Sequence, residues 1–241
     1  MQAVAGVLAA KFRFSGQTCV CANRIFVQSG VYDAFAEKFT AAVRAMRVGV
    51  GSEDGVQLGP VINEAAADKF AALLADARDK VRRCPPLLPA TCVRTPQRCL
   101  CTCTCVCMQG AEVLPYDGSL PTTGHFCGPT VIRDATKDMD VATSEIFGPI
   151  APLIRFDTED EVVEMANNVD VGLAGYVFTS DVPRTFRVAE ALEVGMVGVN
   201  EGLLSTEVAP FGGIKQSGLG REGSHEGIEE YLETKYMMVG L

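Results

Sequence analysis

The sequence lacks two features that mark large classes of proteins. It has no run of the ~18 apolar residues that a membrane-spanning helix would need, and its lysines and arginines nowhere form a cluster. The formal net charge is −9, which disfavours binding to nucleic acid or to an anionic membrane surface. We therefore predict a globular protein with no nucleic acid and no membrane among its partners.

Cysteine is scarce outside one segment. Of the ten cysteines, seven lie between Cys84 and Cys107, and elsewhere there are only Cys19, Cys21 and Cys127. A secreted disulfide framework spreads its cysteines along the chain, whereas isolated cysteines are typical of a reducing compartment. The sequence therefore does not indicate a disulfide scaffold.

Residues 82–109 differ in composition from the rest of the chain. They contain four prolines and seven cysteines but no Asp or Glu, and the run CLCTCTCVC alternates Cys with other residues. Zinc sites favour about two to four residues between paired ligands, so we predict no metal site, with a Cys-rich metal binder kept as an alternative hypothesis. We interpret the segment as translated non-coding sequence or a recent insertion that forms a disordered loop.

The remaining sequence alternates two kinds of segment. Short runs rich in β-branched residues predict strands, and longer segments with apolar residues at helical spacing predict helices, as at Phe35, Phe39 and Val43. This alternation predicts an α/β fold with a mostly parallel sheet flanked by helices. The predicted strands are 23–28, 110–115, 128–134, 150–156 and 194–200. The predicted helices are the amino-terminal segment, 31–46, 64–80 after a cap at Asn63, 159–168 and 183–192.

The segment FSGQTCVCANR, residues 14–24, places two cysteines one residue apart behind a Gly-Gln-Thr turn. Free cysteine is among the most buried residue types, and most buried cysteines are inert. The spacing alone therefore leaves two interpretations of Cys19 and Cys21 open, a nucleophile or a small buried side chain.

Three motifs, in the order found in the family, resemble the aldehyde dehydrogenases. They are KFRFSGQTCVCANR at 11–24, EIFGPIAPLIRFD at 145–157, and 200–236, which includes STEVAPFGG and SGLGREG. The resemblance is to the C-terminal, catalytic half of enzymes of the succinate-semialdehyde type. It leaves the family's N-terminal dinucleotide-binding domain without a counterpart in this sequence.

This resemblance implies a mechanism and a set of site residues. Cys19 corresponds to the nucleophile, whose thiolate adds to the aldehyde carbonyl. The resulting adduct passes a hydride to NAD or NADP, and water then releases the acid from a thioester. Glu145 corresponds to the residue that binds the nicotinamide ribose hydroxyls, and Phe147 to the ring that packs beside the nicotinamide. The resemblance places the oxyanion Asn and the general base in the other half of the enzyme.

Substrate choice is expected to rest on Arg13 and Ser205. Both match substrate-binding residues of the semialdehyde enzymes, and a guanidinium can bind a distal carboxylate through two parallel hydrogen bonds. Arg13 could otherwise be an ordinary charge on a helix surface. The sequence departs from the family at Phe14, where an Asn is usual, so a bulky ring stands five residues before Cys19.

Two further features have alternative interpretations. We predict that Cys21 is a redox partner of Cys19, because a neighbouring thiol can trap an oxidised nucleophile as a disulfide; it could instead be a packing residue. The segment GLGREG, residues 218–223, fits a dinucleotide-binding pattern but lacks the preceding hydrophobic strand. We therefore predict an ordinary Gly-rich bend there.

These observations divide the chain into a catalytic domain at 1–212, interrupted by the insert at 82–109, and a C-terminal part at 213–241. The C-terminal part is expected to form a Gly-rich bend, a helix and a strand that takes part in subunit assembly. By resemblance, the partners are a small aldehyde and further copies of the chain in a dimer or tetramer. The resemblance implies a mitochondrial location, with a cytoplasmic one as the alternative. The rival hypothesis is a truncated, non-enzymatic fragment of such an enzyme.

Overall fold

The fold is that of a computed structural model, which describes residues 2–82 and 111–241 together with the backbone of 93–94 and 99–100. Most of the predicted disordered insert at 82–109 lies outside the described residues. The helices are α1 (Gln2–Phe12), α2 (Tyr32–Arg44), α3 (Glu64–Arg82), α4 (Asp140–Thr143), α5 (Glu159–Asn167) and α6 (Val182–Ala191). The strands are β1 (Ile25–Gln28), β2 (Val93–Arg94), β3 (Cys99–Leu100), β4 (Glu112–Leu114), β5 (Thr130–Arg133), β6 (Ile150–Phe156), β7 (Val171–Gly172), β8 (Ala174–Val177), β9 (Met196–Val199) and β10 (Ile214–Lys215).

A four-stranded sheet forms the centre of the fold, in the order β1-β6-β5-β4. β6 pairs in parallel with both β1 and β5, and β4 joins the edge antiparallel to β5. β8 and β9 form a separate parallel pair, and β7 pairs with β10 in antiparallel fashion. The predicted mostly parallel α/β architecture is confirmed.

Alternate residues of the central strands contact helices on opposite faces. Val131 and Leu153 belong to one buried cluster with residues of α1 and α2, whereas Ile132 and Ile150 pack in another with residues of α3. This follows from the two-residue period of a strand, which sends neighbouring side chains to opposite faces of the sheet. Both faces are therefore covered, as parallel sheets require.

The helix starts are set by local hydrogen bonds that the sequence indicates. Asn63 Oδ1 accepts a hydrogen bond from the Ala66 N–H at 2.9 Å, as predicted for the cap of α3. Thr158 and Glu161 form a capping box at the start of α5. Asp181 accepts from the Arg184 N–H at the start of α6.

The C-terminal part differs from the expected helix and strand. Glu226–Tyr231 form a 3₁₀ helix, and residues 232–241 have no regular structure and are exposed. The Gly-rich bend is present, since Gly218, Gly220 and Gly223 have positive φ. Among the residues that the structure describes, the segment at 232–241 pairs with no strand, so its role in assembly stays a prediction. Within the described residues, every helix is too short or too polar to cross a bilayer.

Candidate active site

The two cysteines lie on a sharp reversal of the chain between α1 and β1. Phe14, Ser15 and Gly16 all have left-handed backbone, with φ of 49°, 58° and 76°. A Cβ on Gly16 would lie 2.2 Å from the carbonyl oxygen of Gly148. Glycine is therefore required at 16. Because glycine has no side chain, the cysteine turn can pack closely against the loop that precedes β6.

The left-handed backbone at Phe14 favours Asn, the residue that the resemblance leads us to expect at this position. Asn tolerates left-handed backbone better than most residues, whereas a bulky side chain there is strained. The Phe14 ring is 71% exposed, and the Arg13 guanidinium carbon lies 5.9 Å from the ring centroid. The turn thus forms in this chain with the ring directed to solvent.

Cys19 and Cys21 both line a cavity of about 790 Å³. Cys19 is exposed, whereas Cys21 is half-buried. The Cys21 Sγ lies 2.9 Å from Thr18 Oγ1 and donates toward the carbonyl oxygen of Arg13 at 3.7 Å. The two thiols therefore differ in environment, because Cys21 has local polar partners and Cys19 is open to an incoming molecule.

Tyr176 holds the backbone between the two cysteines. Its hydroxyl, on β8, donates a hydrogen bond of 2.8 Å to the carbonyl oxygen of Val20. Burial raises the pKa of Tyr176 to about 12, so it remains a donor at any physiological pH. Sequence reasoning did not find this residue, because nothing local links a strand tyrosine to a turn 156 positions away.

Asn23 ties the cysteine segment to the loop that carries Glu145. Its Nδ2 donates to the Ser144 carbonyl oxygen, and its Oδ1 accepts from the Ile146 N–H, both at 2.8 Å. The amide therefore binds the backbone on both sides of Glu145. Sequence reasoning missed Asn23, which carries no motif signal beyond its place next to the cysteines.

Glu145 and Phe147 line the same cavity as Cys19. Both side chains are exposed, and within the described residues Glu145 has no hydrogen-bond or ion-pair partner. Phe147 has left-handed backbone with φ of 48° and is exposed in the loop between α4 and β6. The structure thus brings together the residues predicted for cofactor binding and the predicted nucleophile.

Arg13 and Ser205 form a separate pair. Arg13 Nη1 donates to Ser205 Oγ at 3.4 Å. Arg13 also lines a smaller hollow of about 300 Å³ with Leu203 and Gln57, not the cavity that contains Cys19. The predicted substrate residues therefore contact each other outside the cavity that Glu145 and Phe147 line.

Lys11 is the main charged residue that sequence reasoning left without a role. It lies at the end of α1, is buried, and lines the cavity with the two cysteines. Burial lowers its pKa to about 8, although the nearby Cys21 acts in the opposite direction. Groups of His, Cys, Asp and Glu that could hold a metal ion are absent from the described part of the chain.

The comparisons with known proteins agree on one family. A sequence model described as the aldehyde dehydrogenase family matches residues 1–85 and 103–237. The chain is 51% identical over 239 residues to the mitochondrial succinate-semialdehyde dehydrogenase of Arabidopsis thaliana, covering 99% of this chain and 40% of that protein. It is 47% identical over 240 residues to the NADP⁺-type succinate-semialdehyde dehydrogenase of Escherichia coli, covering 100% of this chain and 44% of that protein.

A solved structure supports the same relationship. The succinate-semialdehyde dehydrogenase of Burkholderia pseudomallei is 48% identical, with a TM-score of 0.81 over 95% of this chain and 42% of that one. The chain thus spans about two fifths of the length of the relatives it matches.

Proposed function

The chain belongs to the aldehyde dehydrogenase family, and on that premise we propose that it is the catalytic half of an NAD- or NADP-dependent enzyme that oxidises succinate semialdehyde to succinate. The observation that carries the choice of substrate is the contact between Arg13 and Ser205. A guanidinium beside a hydroxyl offers several donors to a carboxylate at the far end of a short aldehyde. An uncharged aldehyde would make no use of this pair.

Cys19 is the proposed nucleophile. Its Sγ is exposed to the cavity, and its backbone N–H donates no hydrogen bond to the described residues. The thiolate adds to the carbonyl carbon, and the alkoxide that forms accepts from this N–H and from donors outside the chain. Loss of a hydride from the same carbon leaves a thioester on Sγ, and water releases succinate and regenerates the thiol.

Glu145 and Phe147 fit a nicotinamide nucleoside. The Glu145 carboxylate, which binds no other described residue, can accept hydrogen bonds from two adjacent ribose hydroxyls, and the exposed Phe147 ring in the same cavity can pack against a flat heterocycle. The bound cofactor would supply the hydride acceptor. The protein's part is to hold it in the cavity that contains Cys19, which Arg13 does not line.

A non-enzymatic fragment is the second candidate, because the chain spans about two fifths of its relatives' length. The dinucleotide-binding domain, the oxyanion Asn and the general base all belong to the other half by family resemblance. The loss of a general base alone typically costs ~10²–10⁴ in rate. We expect the 241-residue chain by itself to produce no measurable NADH or NADPH from succinate semialdehyde.

The decisive experiment compares the chain with a restored enzyme. The restored enzyme is a fusion protein. It consists of the amino-terminal part of the Escherichia coli relative, which this chain does not match, followed by the 241 residues of this chain. Oxidation of succinate semialdehyde by the restored enzyme, abolished by Cys19→Ala, supports the proposal. A restored enzyme that folds and binds cofactor yet oxidises no aldehyde contradicts it and favours the fragment hypothesis.

The assembly and location of the protein are also proposals. The exposed apolar side chains of the C-terminal segment, among them Tyr236, Met237 and Val239, suit a strand that pairs with another copy of the chain. The Arabidopsis relative is named as mitochondrial, and we propose the same compartment here. Size-exclusion chromatography with light scattering would test assembly, since a monomeric restored enzyme contradicts it.

A further inference from the structure

Lys11 is a buried amine whose one electrostatic neighbour, among the described residues, is Cys21. Its side chain is 1% exposed, and among the residues that the structure describes, none gives it a hydrogen bond or an ion pair. Other partly buried lysines differ, since Lys80 pairs with Asp76 at 2.6 Å and Lys215 pairs with Glu193. An unpaired ammonium in an apolar site is costly, so the position of Lys11 requires an explanation.

The surroundings of Lys11 connect it to the two cysteines. The Ala22 N–H donates to the Ala10 carbonyl oxygen at 3.0 Å, which holds the residues after Cys21 against the last turn of α1. Lys11, Cys19 and Cys21 all line the same cavity. A small molecule held in this cavity therefore has Lys11 as well as the two cysteines among the residues around it, although only 1% of Lys11 is exposed.

Burial has a chemical consequence for this amine. An exposed lysine has a pKa near 10.4, so less than about 1% of it is neutral at pH 8. The pKa of Lys11 is lowered to about 8 by burial, so about half of it is neutral at that pH. Desolvation of a lysine in an apolar pocket is one of the ways in which proteins make this amine a nucleophile toward carbonyl compounds.

We propose that Lys11 is an aldehyde-reactive amine that condenses with aldehydes entering this cavity to form an imine. The Nζ lone pair adds to the carbonyl carbon, the carbinolamine loses water, and a C=N bond replaces the C=O bond. Nothing is oxidised or reduced, and no further reactant is needed. Lys11 thus competes with Cys19 for the same class of compound, and an aldehyde held on Lys11 is not oxidised.

The test uses the 241-residue chain with no cofactor. The chain is incubated at pH 8 with butanal or succinate semialdehyde and cyanoborohydride, which converts an imine into a stable secondary amine, and labelled peptides are then quantified by mass spectrometry. Lys38 and Lys69, both exposed, are internal controls for ordinary lysine reactivity. The same reaction in concentrated urea shows what the unfolded chain does.

We expect Lys11 to be labelled at least about tenfold faster than Lys38 or Lys69 in buffer. The neutral fraction of Lys11 at pH 8 exceeds that of an exposed lysine by more than this factor. The preference should disappear in urea, and Lys11→Met should remove this adduct alone. Equal labelling of the three lysines in buffer overturns the proposal, whether the Lys11 amine is unreactive or the chain is unfolded in buffer. Cys19→Ser separates the two proposals, because it removes the thiol adduct and should leave the labelling of Lys11 intact.

Discussion

Arg13 Nη1 lies 3.4 Å from Ser205 Oγ, although 192 positions separate the two residues. The resemblance in sequence predicts each of them separately as a substrate-binding residue. Arg13 follows α1, and Ser205 lies in the loop after β9. Their contact brings the two residues together in one polar site. Neither residue lines the cavity that contains Glu145 and Phe147, so a carboxylate tail bound by this pair and a cofactor in that cavity would occupy different places.

Arg13→Leu in the restored enzyme should weaken the binding of a charged substrate selectively. A hydrogen bond to a charged group contributes ~1.5–3 kcal/mol, so KM for succinate semialdehyde should rise by about tenfold to hundredfold, with little change for butanal. Steady-state kinetics on both aldehydes measure the difference. Arg44→Leu is the control, because Arg44 is an exposed arginine in an ion pair with Asp117. Equal losses on both aldehydes would show that Arg13 is structural.

The two cysteines should differ sharply in their effect on oxidation. Cys19→Ala should abolish activity in the restored enzyme, because no other thiol is exposed at the turn. Cys21→Ala should keep most of it, because Cys21 is held by Thr18 and by the carbonyl of Arg13. Rates with saturating substrate decide the matter, and comparable losses from both changes would overturn the assignment.

Peroxide should inactivate the restored enzyme reversibly through Cys21. Oxidation converts the Cys19 thiol to a sulfenic acid, and attack by the Cys21 thiol forms a disulfide with loss of water. Dithiothreitol should then restore activity. Cys21→Ala should lose this recovery and show only slow, irreversible inactivation. If it instead recovers like the parent, Cys21 is a packing residue.

Asn23 should affect the cofactor site, and Asn167 provides a matched control. Asn167 makes the same pair of 2.8 Å hydrogen bonds through its amide, to the Ala191 carbonyl oxygen and from the Glu193 N–H. Replacement of either Asn by Ala should cost ~1–3 kcal/mol of unfolding free energy, since backbone groups lose their partners. Only Asn23→Ala should also raise KM for NAD or NADP, because it releases the backbone on both sides of Glu145.

Urea unfolding of both variants, with cofactor kinetics in the restored enzyme, tests this prediction. A similar increase of KM in Asn167→Ala would mean that general loosening of the fold, rather than the position of Glu145, explains the effect.

The stability of the chain should depend on pH through Lys11. Its pKa is about 8 when folded and near 10.5 when unfolded, so between these values the unfolded state binds more protons. Stability from this group therefore rises with pH from about 8 to 10.5. The free energy of unfolding of Lys11→Met at pH 7 should exceed that of the parent by about 2–3 kcal/mol. This difference should shrink as the pH rises.

The difference between parent and variant isolates Lys11 from the other groups. Burial raises the pKa values of Tyr32, Tyr176 and Cys127, which lowers stability at high pH in both proteins alike. Urea unfolding between pH 7 and 9.5 measures the effect. A constant difference across this range would mean that Lys11 stays charged in the folded chain.

The sequence by itself determined the features that depend on neighbours along the chain. Apolar spacing predicts α2 and α3, Asn63 predicts the start of α3, and the alternation of strands with helices predicts the parallel sheet. The sequence predicts a helix in the C-terminal part, but it does not indicate that this helix has 3₁₀ geometry. Motifs around Cys19, Glu145 and Phe147 are also local, so resemblance could identify them before their common cavity was known.

Only the tertiary structure decided which of these residues meet. Asn23 reaches the loop of Glu145 across more than 120 positions, and Tyr176 reaches Val20 across 156. The sequence shows Lys11 as one basic residue at the end of a helix, and its burial arises from packing with segments far along the chain. Local propensity carries no record of such contacts, because hydrogen bonding and desolvation depend on which groups the fold brings together in space.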